Sequence, residues 1–483
     1  MMIRCIKLAL CLLFFTISFA QSGPVKSEEK WNLQKCVEYA LQNNISVKQA
    51  DLRIRFAALD FQQSKWEKYP LANFNNSHGF SAGYNQDPTT FGLITTSYIF
   101  SNYSFQTSID LFNWFSKKNN VIAKDLNFQA TQAGIEKAKD DVALNVAVGY
   151  LQILLANEQA NLVRIQVQQT KAQLESTRKQ VDAGKLPELS AANLESVLAT
   201  DSANLISAET SVMQLTLQLK AILNLDAAIS FAIETPPVDK IPVESLADLQ
   251  PDAVFQLAVT NRPQQKADEL NLKTALKNVE VARGTMYPTI SLFGSLGSAY
   301  NNKSERVVSV SQVNPPVGKV NVNGTDYTVY PYVPYDLPVY GKFSFFPQLN
   351  QNFRQSIGLN VSIPILNGGN LKGSWQRSKL TVKQVELQKE QNSTTLKQDI
   401  YKAFYDATAA IEKFNANKKA IATSLKAYDF AQKRYELGLL SSYDLIATQT
   451  TLLQAKTNLL YAQYDYVFKI KLLEFYKGQG LKL

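Results

Sequence analysis

The chain has 483 residues, a formal net charge of +9, a hydrophobic share of 45 % and only 19 % charged residues. That composition excludes disorder, and no Lys/Arg-rich run marks a nucleic-acid footprint. One His and three Cys leave no material for a metal cage or a His-based triad, so no metal site, cofactor or catalytic centre is expected.

Residues 1–20 read as an export signal. Arg4 and Lys7 supply the charge, Leu8 to Phe15 the apolar run, and Ser18-Phe19-Ala20 a small-residue cleavage site. The apolar run is too short to span a membrane as a helix. Cys5 and Cys11 leave with it. Cys36 then remains, read as a small core residue, so disulfides do not hold the exported chain together.

The remainder repeats itself. Tyr69-Pro70-Leu71-Ala72-Asn73-Phe74 is echoed by Tyr287-Pro288-Thr289-Ile290-Ser291-Leu292, an offset of 218 residues. Ser108 to Asn113 is echoed by Ser362 to Asn367, and Val181-Asp182-Ala183-Gly184 by Tyr435-Glu436-Leu437-Gly438, both at 254. The second copy therefore carries an insertion, placed near 301–350 and expected to be a long loop. The first copy is assigned to 21–225, an irregular linker with Pro236, Pro237 and Pro242 to 226–250, and the second copy to 251–483.

Within each copy the elements follow one order. A helix comes first, Leu33 to Lys68 and Asp252 to Met286, each stopped at a Tyr-Pro because proline breaks the helical bond pattern. Strands follow. Ala72, Phe74, Phe80, Ala82 and Tyr84 alternate with polar residues, as do Phe105, Thr107, Ile109 and Leu111. In copy two Ile290, Leu292, Leu296 and Tyr300 alternate in the same way. The last run, Ile357, Leu359, Val361, Ile363 and Ile365, is taken as a lipid-facing strand opposite a water-facing set. His78 shares the parity of Phe74 and Phe80 and has no second ligand nearby, so it carries no site. Long helices then run from Asn119 to Val181 and from Leu371 to Leu437, each about 100 Å at 1.5 Å rise per residue. After Gly184 and Gly438, read as helix C-caps, return helices run to about Leu225 and Lys477. Leu198, Leu205, Val212 and Leu219 form a heptad seam there, repeated by Leu452, Leu459, Tyr466 and Leu473. The Gln-rich stretch Gln166 to Gln173 reads as either a lumen wall or an ordinary wet face. The fold class is mostly α with β.

Four strands cannot close a barrel alone, and open edges are not tolerated in lipid, so copies must complete one another. Three copies would give a twelve-stranded barrel wide enough for water. An exported coiled-coil stalk is the competing reading, but a stalk needs no alternating strands.

The order of helix, Tyr-Pro strand, strand and long helical hairpin, given twice, resembles the TolC-type outer-membrane efflux proteins. The most specific marks are Arg434-Tyr435-Glu436-Leu437-Gly438 with Asp444, and Ser362-Ile363-Pro364-Ile365-Leu366-Asn367-Gly368-Gly369. The resemblance implies a homotrimer with a β-barrel in outer-membrane lipid and an α-barrel tunnel in the periplasm. It also implies an adaptor protein and an inner-membrane pump as partners, serving efflux or protein secretion without chemistry of its own. Adaptor docking would fall on Gly184, Lys185, Gly438, Leu439 and Ser441, and the periplasmic gate on Asp444 and Tyr435. Leu440, Ala447 and Ser190 stand where relatives often carry an arginine and two acids, which leaves a mouth held mainly by packing. Ser441 and Asp444 also fit a capping box.

Overall fold

The computed structural model describes residues 30–86, 91–235, 241 and 244–478. The expected export signal and Pro236, Pro237 and Pro242 lie outside them. The chain divides into a helical unit (residues 1–55, 130–269 and 388–483) and a strand-bearing unit (56–129 and 270–387).

Each short leading helix is two helices, not one. α1 (Leu33–Asn43) gives way to α2 (Ile45–Trp66) at Asn44, and α5 (Pro251–Asn261) to α6 (Pro263–Gly284) at Arg262. The two breaks are themselves 218 residues apart. Their causes differ. Arg262 precedes a proline, which drives it to ψ 132°. Asn44 sits at ψ 133° and donates its side-chain amide to the Ile222 carbonyl at 2.7 Å, while its Oδ1 accepts from Ser46 N.

The long helices match in length to the residue. α3 (Ser116–Asp182) and α8 (Asn370–Glu436) each contain 67 residues, and the return helices are α4 (Glu188–Leu223) and α9 (Ser442–Tyr476). Every member of the two heptad seams is buried or half-buried, with Leu219, Leu452 and Leu473 fully inside. The helical unit has two main cores. One gathers Cys36, Val146, Tyr150, Leu154, Leu219 and Leu223, and the other Val254, Ala258, Ile400, Ala403, Ile470 and Leu473. Cys36 is a core residue as expected, and burial pushes its thiol up to about 12. Tyr150 donates its hydroxyl to the Glu234 carbonyl at 2.6 Å, fastening the chain at the parallel bridge between Trp31 and Ile233.

In the strand-bearing unit β1 (Leu71–Gln86), β2 (Leu93–Phe112), β3 (Thr289–Asn301) and β8 (Arg354–Ser362) form one antiparallel sheet in the order β1-β2-β3-β8. Ile363 and Ile365 are therefore not strand residues. Pro364 between them lacks the N–H that a ladder needs, and the sheet ends at Ser362.

Within the long insertion the chain forms two nested hairpins. β4 (Glu305–Val313) pairs with β7 (Tyr335–Lys342), and nested within them β5 (Gly318–Val322) pairs with β6 (Thr325–Val329) across Asn323-Gly324, both at positive φ. The short helix α7 (Phe345–Gln351) then leads into β8. Alternating Val and Tyr with a tight Asn-Gly turn is a hairpin pattern, which the richness in Pro obscures.

Candidate functional site

The sheet register decides which side chains share a face. Phe74 pairs with Phe105, Phe105 with Leu296, Gly294 with Ile357, and Leu292 with Leu359. Most apolar positions of the four strands thus fall on one face, and Phe74, Phe80, Tyr84, Ile99, Leu296, Ile357, Leu359 and Val361 are all exposed there. Asn73, Asn75, Ser77, Ser104, Gln106, Ser291, Ser295, Ser356 and Asn360 share the other face. Leu71, Ile94 and Tyr98 interrupt that polar face, as do two phenylalanines each laid across a glycine of the adjacent strand: Phe100 on Gly79 and Phe293 on Gly358. His78 sits within the apolar face, where Ser101 Oγ lies 2.7 Å from its Nδ1 and its ring meets Tyr103 edge-on. It is a hydrogen-bonded residue of that face.

The apolar set drifts across the sheet. On β8 it occupies Ile357 to Val361 and runs on through exposed Ile363 and Ile365, whereas on β1 it reaches Tyr84 at the opposite end. Both outer strands, β1 and β8, have one edge unpaired among the described residues.

The hairpin tips lie in the helical unit. Gly184 and Gly438 both stand at φ +72°. At tip one Gly184 N donates to Val181 O and Lys185 N to Gln180 O, at 2.8 and 2.9 Å. At tip two Gly438 N donates to Tyr435 O and Leu439 N to Arg434 O, at 2.9 and 2.8 Å. Both are Schellman closures, which need a residue without Cβ strain at this position. Around them Lys185, Leu189, Leu437, Leu439, Ser441 and Tyr443 are exposed.

Asp444 takes the capping geometry. Ser441 Oγ accepts from Asp444 N at 3.1 Å and donates to Asp444 Oδ2 at 2.7 Å, and the carboxylate is open to solvent. Tyr435 is the opposite case. It is 2 % exposed, lies 3.0 Å from the Thr177 hydroxyl of α3, and packs with Ala431 and Leu445 against Leu186, Tyr428 and Leu440. Leu440 is thus part of an apolar latch joining the two tips.

Sequence reasoning missed the layer behind that latch. Thr170 donates to Asp201 at 2.7 Å, Gln166 donates to both Thr170 and Asp201, and Gln449 of α9 reaches Thr170 at 3.4 Å. All four side chains are buried, Asp201 at 7 % exposure. Gln166 is therefore no lumen wall, whereas Gln168 and Gln169 are exposed. The signal was present: Thr170 and Thr177 are seven residues apart, with Leu174 and Val181 between and beyond, which places the threonines on the inner seam.

The family model for outer membrane efflux proteins matches residues 36–225 and 254–473, two segments that coincide with the two copies. The outer membrane protein TolC of Escherichia coli is 22 % identical over 94 % of this chain and 84 % of its own length. The outer membrane efflux protein BepC of Brucella suis is 21 % identical over 89 % and 81 %. Among solved structures, CusC superimposes with a TM-score of 0.73 at 18 % identity, covering 95 % of both chains. VceC of Vibrio cholerae gives 0.71 at 16 % identity, covering 93 % of this chain and 97 % of its own. The chain belongs to the outer membrane efflux protein family and serves as an exit duct of the outer membrane.

Proposed function

We propose that three copies of the chain form one duct, with twelve strands closing a barrel in outer-membrane lipid and the long hairpins lining a periplasmic tunnel. The observation that carries this reading is the sheet: one exposed, mainly apolar face, one mainly polar face and two edges unpaired among the described residues. In lipid every backbone group must be paired, so such a sheet is complete only when β1 of one copy meets β8 of the next. The oblique drift of the apolar band supports it, because barrel strands tilt and a level membrane crosses tilted strands at shifting positions. Ile357, Leu359 and Val361 face lipid in this reading. The Asn and Ser residues of the other face line water.

The duct is passive. It receives cargo at the tips, where Gly184, Lys185, Gly438, Leu439 and Ser441 offer an adaptor a narrow, partly apolar surface. An inner-membrane pump supplies the energy for efflux or secretion. Detergent extraction of the outer-membrane fraction, followed by native electrophoresis and planar-bilayer recording, tests the assembly. A conducting trimer is expected. A soluble monomer, or a trimer that does not conduct, overturns the reading.

A further inference from the structure

The two strand edges that must meet in such a barrel are unequal. β1 has 16 residues and β8 only 9. β8 pairs with the half of β3 next to the helices and stops at Arg354, opposite Gly297. Beyond that point the edge of β3 is closed by α7 and its C-cap residue Asn352. Gln348 accepts from Asn301 N at 2.6 Å and donates to Asn301 O at 3.1 Å, and Asn352 donates to Ala299 O at 2.7 Å. Ser298 adds a bond to the Leu349 carbonyl at 2.7 Å. Gln348 is wholly buried in doing so. α7 thus stands where β8 would continue.

Nothing on β8 matches the far end of β1, which carries exposed Phe80 and Tyr84. The helical period gives α7 a second side. Phe346 lies two positions before Gln348 and hence on the opposite face of the helix, directed away from β3. It is 79 % exposed. Phe345 is held differently, against Tyr300 at 4.9 Å.

We infer that α7 is an intersubunit wedge: it continues the β8 edge and packs Phe346 against the far half of β1, around Phe80 and Tyr84, in the next copy of this chain. This inference rests on the barrel reading above. The occupant follows from continuity, since whichever copy pairs its β1 with β8 must bring the remainder of that strand alongside α7. Short helices ending in a side-chain clamp also leave no free ladder edge exposed to lipid at this level.

Paired cysteines test it in the assembled protein. Phe346→Cys with Tyr84→Cys should give disulfide-linked multimers on non-reducing gels after mild oxidation. Phe346→Cys with Ser77→Cys, on the polar face and nearer the helices, should give none. The native background is low because Cys36 is buried. A variant that still migrates as a native trimer but shows no Phe346–Tyr84 link overturns the wedge and leaves the barrel standing. A monomer for the unaltered chain overturns both. As an independent readout, Phe346→Ser should lower the temperature at which the trimer dissociates in detergent by several degrees. An unchanged dissociation temperature counts against the wedge.

Discussion

The two hairpin tips share a backbone and differ in chemistry. Both close with the same pair of bonds around a glycine at φ +72°. After the turn they part. α4 starts from Pro187, which offers no side-chain cap, whereas α9 starts from Ser441, which caps Asp444 N. At the same repeat position Ser190 is buried and Asp444 is exposed. Hairpin one is tied across its outside by an Arg178–Glu195 ion pair. Its counterparts in hairpin two are Gln432 and Gln449, and Gln449 turns inward to Thr170. The duplicated backbone thus fixes where the tips are. Single side chains decide which tip is latched from within and which is fastened at the surface.

The comparison breaks first along the return helices. Leu452 of α9 is buried and its equivalent Leu198 of α4 is half-buried. Leu452→Asp should destabilise by about 4 kcal/mol or more, combining a lost core side chain with a buried charge. Leu198→Asp should cost roughly half as much, in proportion to its exposure. Denaturant unfolding followed by helical circular dichroism measures both, and equal losses would show that the seams are buried alike.

A sharper cut is Tyr435→Phe, which strands the Thr177 hydroxyl at 0 % exposure. The expected loss is about 1–2 kcal/mol. Tip one holds Val181 at the position of Tyr435 and has no such bond to lose. Adding Thr177→Val should recover most of the loss, since removing both partners leaves nothing unsatisfied. A double variant as unstable as the single would mean that ring packing, not the hydroxyl, is at stake.

The glycines should behave as twins. No atom lies within 4 Å of a Cβ built at either position, so Gly184→Ala and Gly438→Ala each meet only the backbone cost, about 1 kcal/mol. Ser441→Ala should cost about 1 kcal/mol, whereas Arg178→Gln should cost less than that, because its ion pair is exposed and screened by solvent. Thermal unfolding of the four variants ranks them.

What was legible in the sequence follows the same division. Equal spacing of Gly184 and Gly438 revealed the helix lengths, because a duplicated hairpin cannot change one arm alone. Alternation disclosed the four sheet strands and their common apolar face. The break at Arg262 was legible in Pro263, but the break at Asn44 was not, since it depends on a carbonyl 178 residues away. The end of β8 was misplaced because Ile363 and Ile365 continue an alternation whose ladder Pro364 cannot. Asp201 gave no local sign of burial. Its partners Thr170 and Gln166 lie on α3, and Gln449 of α9 reaches only Thr170, so the layer forms only when three helices pack.

Asp444→Asn asks the least of stability and the most of function. The variant keeps an oxygen to accept from Ser441 Oγ and the same backbone N–H to donate, so both capping bonds persist. Only the charge goes, and an exposed charge in the first turn of α9 contributes about 0.3–1 kcal/mol through the helix dipole. In a trimer three Asp444 carboxylates would stand around one mouth, and a ring of acids favours cations over anions. Tip one has Ser190 at this position, so a single ring is expected, not two. Reversal potentials in a salt gradient should therefore show weaker cation preference for Asp444→Asn, and block by multivalent cations should decline with it. If both survive the substitution, the carboxylate serves the cap alone and the acidic ring is absent. If cation preference falls while the unfolding midpoint stays within about a degree, charge and cap are separate functions of one residue.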